Sequence, residues 1–510
     1  MEPLDSSDVD VGHLIAALEA EAAFERALLP PEPWWSSLLD DKQSFAESIH
    51  RKLLRGAHWP LSAVVDARKP GHGTRPVAVM SPDVRVLYRA IASALVPEAE
   101  RPDRSMEGYA EFVLMPIRAA FDLDTGLRPL DDAKYSHILV TDVTAFFQYI
   151  DHELLREELD LAAKDIILVD ALIGLLGDMQ GRSFGIPQRS SPSDWIADAY
   201  AARIERWAVR EGFDVWRYSD DFRIGCLSYP EALRAIETLS RATRDCGLTL
   251  NEQKTATPSF RTYFRRTADA ALDDVAAEVD LSDVEAIVSS EYPSGDDDQA
   301  LDDAKNTIDL VLDPEGGDGS AAEDAWDLRE LAPEQHAAIR RALRTLTRNG
   351  DSSAMSKLDP LLKYQPALTH SIVAYVEAIA RDGEHVKPFF DAAVTKVSLN
   401  EWQRAWVAYG LRACAIPLNR RSVSTQWLLS QLTTRPDSLP AAEAAVTLST
   451  AGLVSFRTLE NLLHSVNADF TPWYLYAIAN LRLLGAASAQ QVAAIRQGSS
   501  IAKSILREVS

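Results

Sequence analysis

The sequence predicts an α+β domain followed by an all-α, HEAT-like helical-repeat domain. Three observations lead there. A chain of 510 residues is too long for one ordinary core and divides into two or three domains. Residues 60–260 alternate between strand-like and helix-like patterns, whereas the chain after residue 331 is almost wholly helix-like, with Ala-rich apolar stripes and short loops. Four segments of that second part resemble one another: HSIVAYVEAIARDG from His370, RAWVAYGLRACAIP from Arg404, EAAVTLSTAGLVSF from Glu443 and PWYLYAIANLRLLG from Pro472. Their starts lie 34, 39 and 29 residues apart. Each is followed by a second helix-like segment, and a period of this size marks stacked helical pairs.

In chain order, residues 1–50 form an N-terminal helical arm. HLIAALEAEAAFERALL is rich in helix formers and is expected to run to Pro30-Pro31, which cannot continue a helix. Residues 51–270 carry the α+β pattern. SHILVTDVTAFF reads as a buried strand running into a turn, FDVWRYSDDFRIGCL as a hairpin with a polar tip, and EALRAIETLSRATRDCG as a helix capped by Gly247. Residues 271–330, with SSEYPSGDDDQALDDAK and LDPEGGDGSAAEDAW, read as an acidic solvated linker. The sharper alternative is a nucleic-acid mimic shielding a basic groove. Residues 331–510 are the helical-repeat domain.

Composition narrows the function classes. An apolar fraction of 46% and a charged fraction of 25% are those of a soluble globular protein. No run of ~18 apolar residues offers a membrane span, and the acidic start, MEPLDSSDVDVGHL, lacks the regions of a signal peptide. Cys226, Cys246 and Cys414 lie far apart, which fits no zinc site or disulfide framework and points to a reducing cytoplasm. The net charge of −24 at first disfavours a nucleic-acid partner. Its distribution reverses that: residues 271–330 carry −18 and residues 1–50 carry −9, which leaves +3 for the rest and +6 for residues 331–510 alone.

The chemistry centres on carboxylates. Asp142 ends an apolar strand, and Asp220 and Asp221 sit at the hairpin tip. Three neighbouring carboxylates repel one another and call for a cation. Oxygen ligands of this kind suit Mg²⁺, and two such ions about 3.5–4 Å apart form the clamp used by polymerases. A lone Ser-Asp-Asp would be an ordinary solvated turn; the order of further motifs changes that.

That order is Asp142 to Phe147 in DVTAFF, Gly185-Ile186-Pro187-Gln188, Tyr218-Ser219-Asp220-Asp221, and Lys254 in GLTLNEQKT. Asp142 precedes Gly185 by 43 residues, Gly185 precedes Tyr218 by 33, and Asp221 precedes Lys254 by 33. The sequence here resembles the reverse transcriptases, and the upstream block KPGHGTRPVAVMSPDVRVLYRAI resembles their fingers; together the resemblance covers about residues 50–260. It implies a palm-and-fingers polymerase domain. Asp142, Asp220 and Asp221 would then ligate two Mg²⁺ ions, with the backbone carbonyl of Val143 as a further ligand. Lys254 would protonate the leaving pyrophosphate. Gln188 and Tyr218 would line the template and incoming nucleotide, and Arg75, with Lys69 or Arg68, would hold the triphosphate. Phe147 would lie under the sugar and leave no room for a 2′-hydroxyl, so that dNTPs are used and the product is DNA.

Departures from the family pattern narrow the type. Arg189 follows Gln188 where Gly is usual and places a cation where a template would pass, and Gln148 replaces a frequent Asp. No recognisable thumb follows Lys254, and no zinc-type endonuclease, integrase or RNase H segment is found. A palm followed by helical repeats resembles the bacterial abortive-infection and unknown-group reverse transcriptases. That resemblance implies antiphage defence, an RNA template or associated non-coding RNA, a DNA product in some members covalently attached to a protein primer, and a homo-oligomer. Two alternatives stay open on the same catalyst: template-independent, protein-primed synthesis, and RNA synthesis from rNTPs. A third, of another class, is a non-catalytic helical-repeat scaffold binding a phage or host protein. Trp402, Trp406, Trp427, Trp473 and Tyr474 would stack on bases or, as the favoured reading, pack the helical core.

Overall fold

The computed structural model describes residues 9–24, 26, 28–70, 73–121, 128–162, 165–268, 278–279, 297–312, 331 and 333–507. They fall into two compact units. One comprises Gly56–Leu61 and Tyr88–Ser294; the other comprises Val9–Arg55, Ser62–Leu87 and Gly295–Ser510. The boundary therefore falls within the helix Pro82–Leu95.

The core of the first unit is a three-stranded antiparallel sheet. Its strands are β4 (His137–Asp142), β5 (Asp214–Tyr218) and β6 (Asp221–Cys226), in the order β4-β6-β5. The apolar run ILV makes β4 a buried strand, and only Ser219 and Asp220 separate β5 from β6, so the expected strand and hairpin both form. Pleating sends alternate residues to opposite faces. On one face the helices Met106–Ala120 and Phe260–Ala268 close a core of Leu114, Ile117, Phe121, Tyr135, Ile138, Phe260, Tyr263 and Phe264. Tyr135 packs so closely over Gly225 that a Cβ there would lie 2.5 Å from its ring. The helices Tyr229–Asp245 and Ser191–Arg210 also pack on the sheet. Tyr229–Asp245 ends as expected, with Gly247 at φ +69° and the Leu248 N–H returning to the Thr243 carbonyl at 2.8 Å. A short pair, β3 (Arg128–Pro129) with β7 (Glu278–Val279), completes the strands among the described residues of this unit.

In the second unit the N-terminal helices, a two-stranded hairpin and the C-terminal helices share one core. The helices are Val11–Ala23, Trp35–Asp40 and Lys42–Leu54; the hairpin is β1 (Ala63–Arg68) with β2 (Thr74–Val79). The first helix stops at Ala23, short of the expected Pro30-Pro31. Tertiary partners take the chain over: the buried Arg26 guanidinium donates to the Ala78 carbonyl, and the indoles of Trp402 and Trp406 donate to the Leu28 carbonyl.

Among the C-terminal helices, Asp297–Leu312, Pro333–Asn349, Thr369–Ile379, Glu401–Ala413, Leu439–Thr450, Thr471–Leu483 and Ser500–Ile505 pack each on the next. Leu358–Tyr364, Gly383–Lys396 and Val423–Thr434 form a parallel row. All four self-similar segments are therefore helices of the first row. Helix Asp297–Leu312 lies inside the stretch read as an acidic linker; Ala304 and Ile308 bury one side of it, and Lys305 pairs with Asp351 at 2.8 Å. The rest of that stretch, apart from β7, lies outside the described residues. Trp402, Trp406, Trp473 and Tyr474 are buried in this core, which is the packing reading, while Trp427 is half-buried. Among the described residues no helix is long and apolar enough to cross a membrane.

Candidate active site

Strand register builds the site. Asp142, the last residue of β4, lies directly opposite Asp221, the first residue of β6; Asp221 in turn lies opposite Tyr218, the last residue of β5. Asp142, Asp221 and Tyr218 thus form one lateral row at the edge of the sheet, with Val140, Arg223 and Trp216 as the next row on the same face. Ser219, in the left-handed region at φ +58°, and Asp220 make the turn. The Val143 N–H donates to the Asp220 carbonyl at 3.1 Å and ties the turn to the end of β4.

The chain after Gly247 runs along the other edge of β4. Thr144 N–H donates to the Thr249 carbonyl, Asn251 N–H to the Asp142 carbonyl at 2.7 Å, and Ala256 and Val140 exchange two backbone bonds. This delivers Lys254 to Asp142: its Nζ lies 2.9 Å from Oδ2, with the lysine side chain 62% exposed and the carboxylate largely buried. Asn251 Nδ2 donates to the same oxygen at 3.2 Å.

Like charges placed directly across a ladder are destabilising, and the titration of the site reflects it. Burial, with Asp142 and Asp221 adding repulsion, pushes the Asp220 carboxyl up to about 6. Burial and Asp142 also raise Asp221, against the opposing charges of Arg223 and Lys254. Partial burial disfavours the charged form of Lys254, but the hydrogen bond and charge of Asp142 outweigh it, and the ammonium is held more firmly than usual. Three hard oxygen donors that resist sharing negative charge fit a divalent cation. Among the described residues, however, no three of His, Cys, Asp and Glu are already gathered around one point. The donor set fits such an ion in chemistry, with the side chains still to converge on it.

Phe147, five residues after Asp142, is tied through backbone bonds to the Gly-Ile-Pro-Gln loop. Ala145, at φ +50°, turns the chain after β4. Phe146 buries its ring near Tyr200 and leaves Phe147 half-exposed. The Phe147 carbonyl accepts from the Ile186 N–H at 2.8 Å, and the Ile150 carbonyl accepts from the Gly185 N–H at 2.8 Å, so the Gly-Ile-Pro-Gln loop is sewn to the segment carrying Phe147. Gly185 is required here: its φ is +86°, and a Cβ would lie 2.9 Å from the Gln148 carbonyl oxygen. His152 Nε2–H donates to the Gly185 carbonyl at 2.7 Å; burial lowers its pKa, which keeps the ring neutral.

Gln188 is half-buried at the end of the loop. The Tyr218 ring packs against Tyr109 and Phe112, and its hydroxyl donates to the Ser105 carbonyl at 3.0 Å. Arg75, Lys69 and Arg68 belong to the second unit. Arg75 lies on β2 opposite Ala67, and the Lys69 N–H donates to the Gly73 carbonyl across the hairpin end.

Three residues of the site escape a motif search. Arg223 is buried, lies on the same face as Asp221 and stacks over Phe112 at 5.0 Å; two-residue alternation from Asp221 would have found it. Asn251, three residues before Lys254, and His152, at the start of its helix, act through contacts with no local signature.

Residues 67–268 match the family described as reverse transcriptase (RNA-dependent DNA polymerase), two-fifths of the chain, and that stretch is a reverse transcriptase domain. Among solved structures the chain is similar to telomerase from Candida albicans in complex with the TWJ fragment of telomeric RNA. The identity is 14%, with 69% of this chain and 66% of that chain covered, at a TM-score of 0.30. It is also similar to telomerase from Candida tropicalis in complex with the TWJ fragment of telomeric RNA, at 10% identity over 74% of this chain and 64% of that chain, TM-score 0.29. The chain thus spans just under two-thirds of the length of these telomerase chains. No curated protein matches the sequence.

Proposed function

We propose that this protein is an RNA-directed DNA polymerase that adds dNTPs by metal-assisted nucleotidyl transfer. The observation that carries this reading is the row Asp142–Asp221, with Asp220 in the adjoining turn and Lys254 hydrogen-bonded to Asp142. Asp142, Asp220, Asp221 and the Val143 carbonyl would hold two Mg²⁺ ions, which when bound activate the attacking 3′-hydroxyl and neutralise the leaving pyrophosphate. The chain's own groups do the rest. Phe147, held by the Gly-Ile-Pro-Gln loop, is the steric gate against a 2′-hydroxyl. Lys254, firmly protonated, is the proton donor to the leaving group. Gln188 and Tyr218 shape the template and nucleotide site, while Arg75 and Lys69 serve the triphosphate.

The stacking of the C-terminal helices supports a HEAT-like arrangement, and a palm joined to such a region supports an antiphage-defence role. The polymerase activity and the defence role are tested together. Purified protein with Mg²⁺, dNTPs and a primed RNA template should extend the primer, and Asp220→Ala with Asp221→Ala should abolish both extension and protection against phage. Protection that survives the double substitution would sink the polymerase as the biological activity. Extension that persists without RNA, with label bound covalently to protein, would replace templated synthesis by protein-primed synthesis.

A further inference from the structure

The Gly-Ile-Pro-Gln loop ends in a backbone conformation that its sequence does not favour. Arg189 has φ +59°, in the left-handed region that glycine enters freely and a side-chain-bearing residue enters only at a cost. Such outliers persist where the surroundings enforce them, and they concentrate at functional sites. Here the enforcement is visible. On one side the loop is fixed by the bonds of Gly185 and Ile186 to Ile150 and Phe147. On the other, Ser190 opens the helix Ser191–Arg210, its carbonyl accepting from the Asp194 N–H.

Glycine would satisfy that backbone. The chain instead holds an arginine whose side chain is exposed. Among the described residues it makes no hydrogen bond or ion pair, although its charge is felt by the half-buried Asp194. The neighbouring arginines of the unit are engaged. Arg104 pairs with Asp198 at 2.9 Å and covers the Tyr218 ring, and Arg101 lies 4.1 Å over Trp195 while donating to the Val96 carbonyl. Arg189 is therefore a cation kept at a strained position next to Gln188, with only the charge of Asp194 near it and no hydrogen bond or ion pair among the described residues to hold it as a structural residue.

We propose that Arg189 is a template-binding residue, pairing with a backbone phosphate of the single-stranded RNA as it enters the site. This rests on the polymerase reading above, but its test does not require catalysis. Binding of a fluorescent single-stranded RNA oligonucleotide is measured by anisotropy over a range of salt concentrations for the full chain and three variants. Loss of one phosphate contact on a single strand lowers the slope of log affinity against log salt by about 0.7. Arg189→Gly and Arg189→Ala are expected to show that loss together with a several-fold weaker Kd at low salt, and Arg189→Lys to retain the slope. Arg189→Gly alone should also raise Tm, by about 2–4 °C, because it removes the strain along with the charge.

A slope and Kd unchanged in Arg189→Gly would overturn the proposal. So would an unchanged slope accompanied by a raised KM for dNTPs, which would assign the cation to the nucleotide. If the wild type binds RNA with the expected slope change in the variants yet extends no primer, the polymerase reading fails, and Arg189 stands as an RNA phosphate contact but not as a template-binding residue.

Discussion

Removing the Asp469 side chain should loosen the base of the β1–β2 hairpin, at a cost that shrinks as pH rises. Asp469 is 1% exposed and accepts two backbone hydrogen bonds, from Ala63 N–H at 2.6 Å and from Ser81 N–H at 2.7 Å. These donors stand at the start of β1 and just past the end of β2, so one carboxyl from the turn before the helix Thr471–Leu483 clasps both ends of the hairpin that carries Lys69 and Arg75. In Asp469→Ala two buried N–H groups lose their acceptor, at about 1–3 kcal/mol each. Burial, opposed by those same bonds, pushes the Asp469 carboxyl up to about 7 from an ordinary 3.8. The folded chain therefore keeps a proton that the unfolded chain releases above pH 4. The stability this group adds is full below about pH 4 and is lost as pH rises through 7. At about 1.4 kcal/mol per pH unit the loss is at most ~4 kcal/mol, of which about 2–3 kcal/mol falls between pH 5 and pH 8. The substitution should then cost about 3 kcal/mol at pH 5 and about 1 kcal/mol at pH 8. Denaturant unfolding at the two pH values gives the difference, and hydrogen exchange at the Ala63 and Ser81 amides locates it. A cost below about 0.5 kcal/mol at both pH values, or one that grows with pH, would refute the reasoning.

Other substitutions test the site itself. Asp220→Asn removes one of three crowded carboxylates, so primer extension should fall by on the order of 10²–10³-fold or more while Tm rises, as is common when a functional site stores repulsion; a fall in both would mean misfolding. Phe147→Ala should leave dNTP extension measurable and raise rNTP incorporation relative to dNTP, whereas an unchanged ratio would favour RNA synthesis. Gly185→Ala forces a Cβ against the Gln148 carbonyl at a positive φ, a destabilisation of about 1–3 kcal/mol read by thermal unfolding, with extension falling because Phe147 hangs on the same loop.

Much of the first unit was legible locally. An apolar strand ending in Asp142, a two-residue tip between β-rich arms and a glycine after an amphipathic helix each form their element through neighbouring residues alone. Helix Asp297–Leu312 is hidden in the sequence because the density of Asp around it outweighs the helical spacing of Leu301, Ala304 and Ile308. Helix propensity continues past Ala23 to Leu29, whereas buried partners on β2 and in the helix Glu401–Ala413 draw the chain out of helical form.

By itself the sequence singled out the carboxylates, aromatic and lysine of the candidate site, since their types and order are local properties of short motifs. Only the tertiary structure decided that Asp142 faces Asp221, that Lys254 and Asn251 share one oxygen of Asp142, and that β1–β2 is clasped by Asp469 from some 400 residues away in the chain, at separations of 406 and 388. Register and long-range hydrogen bonds are settled by which surfaces bury together and which donors find acceptors, and neither leaves a periodic trace along the chain.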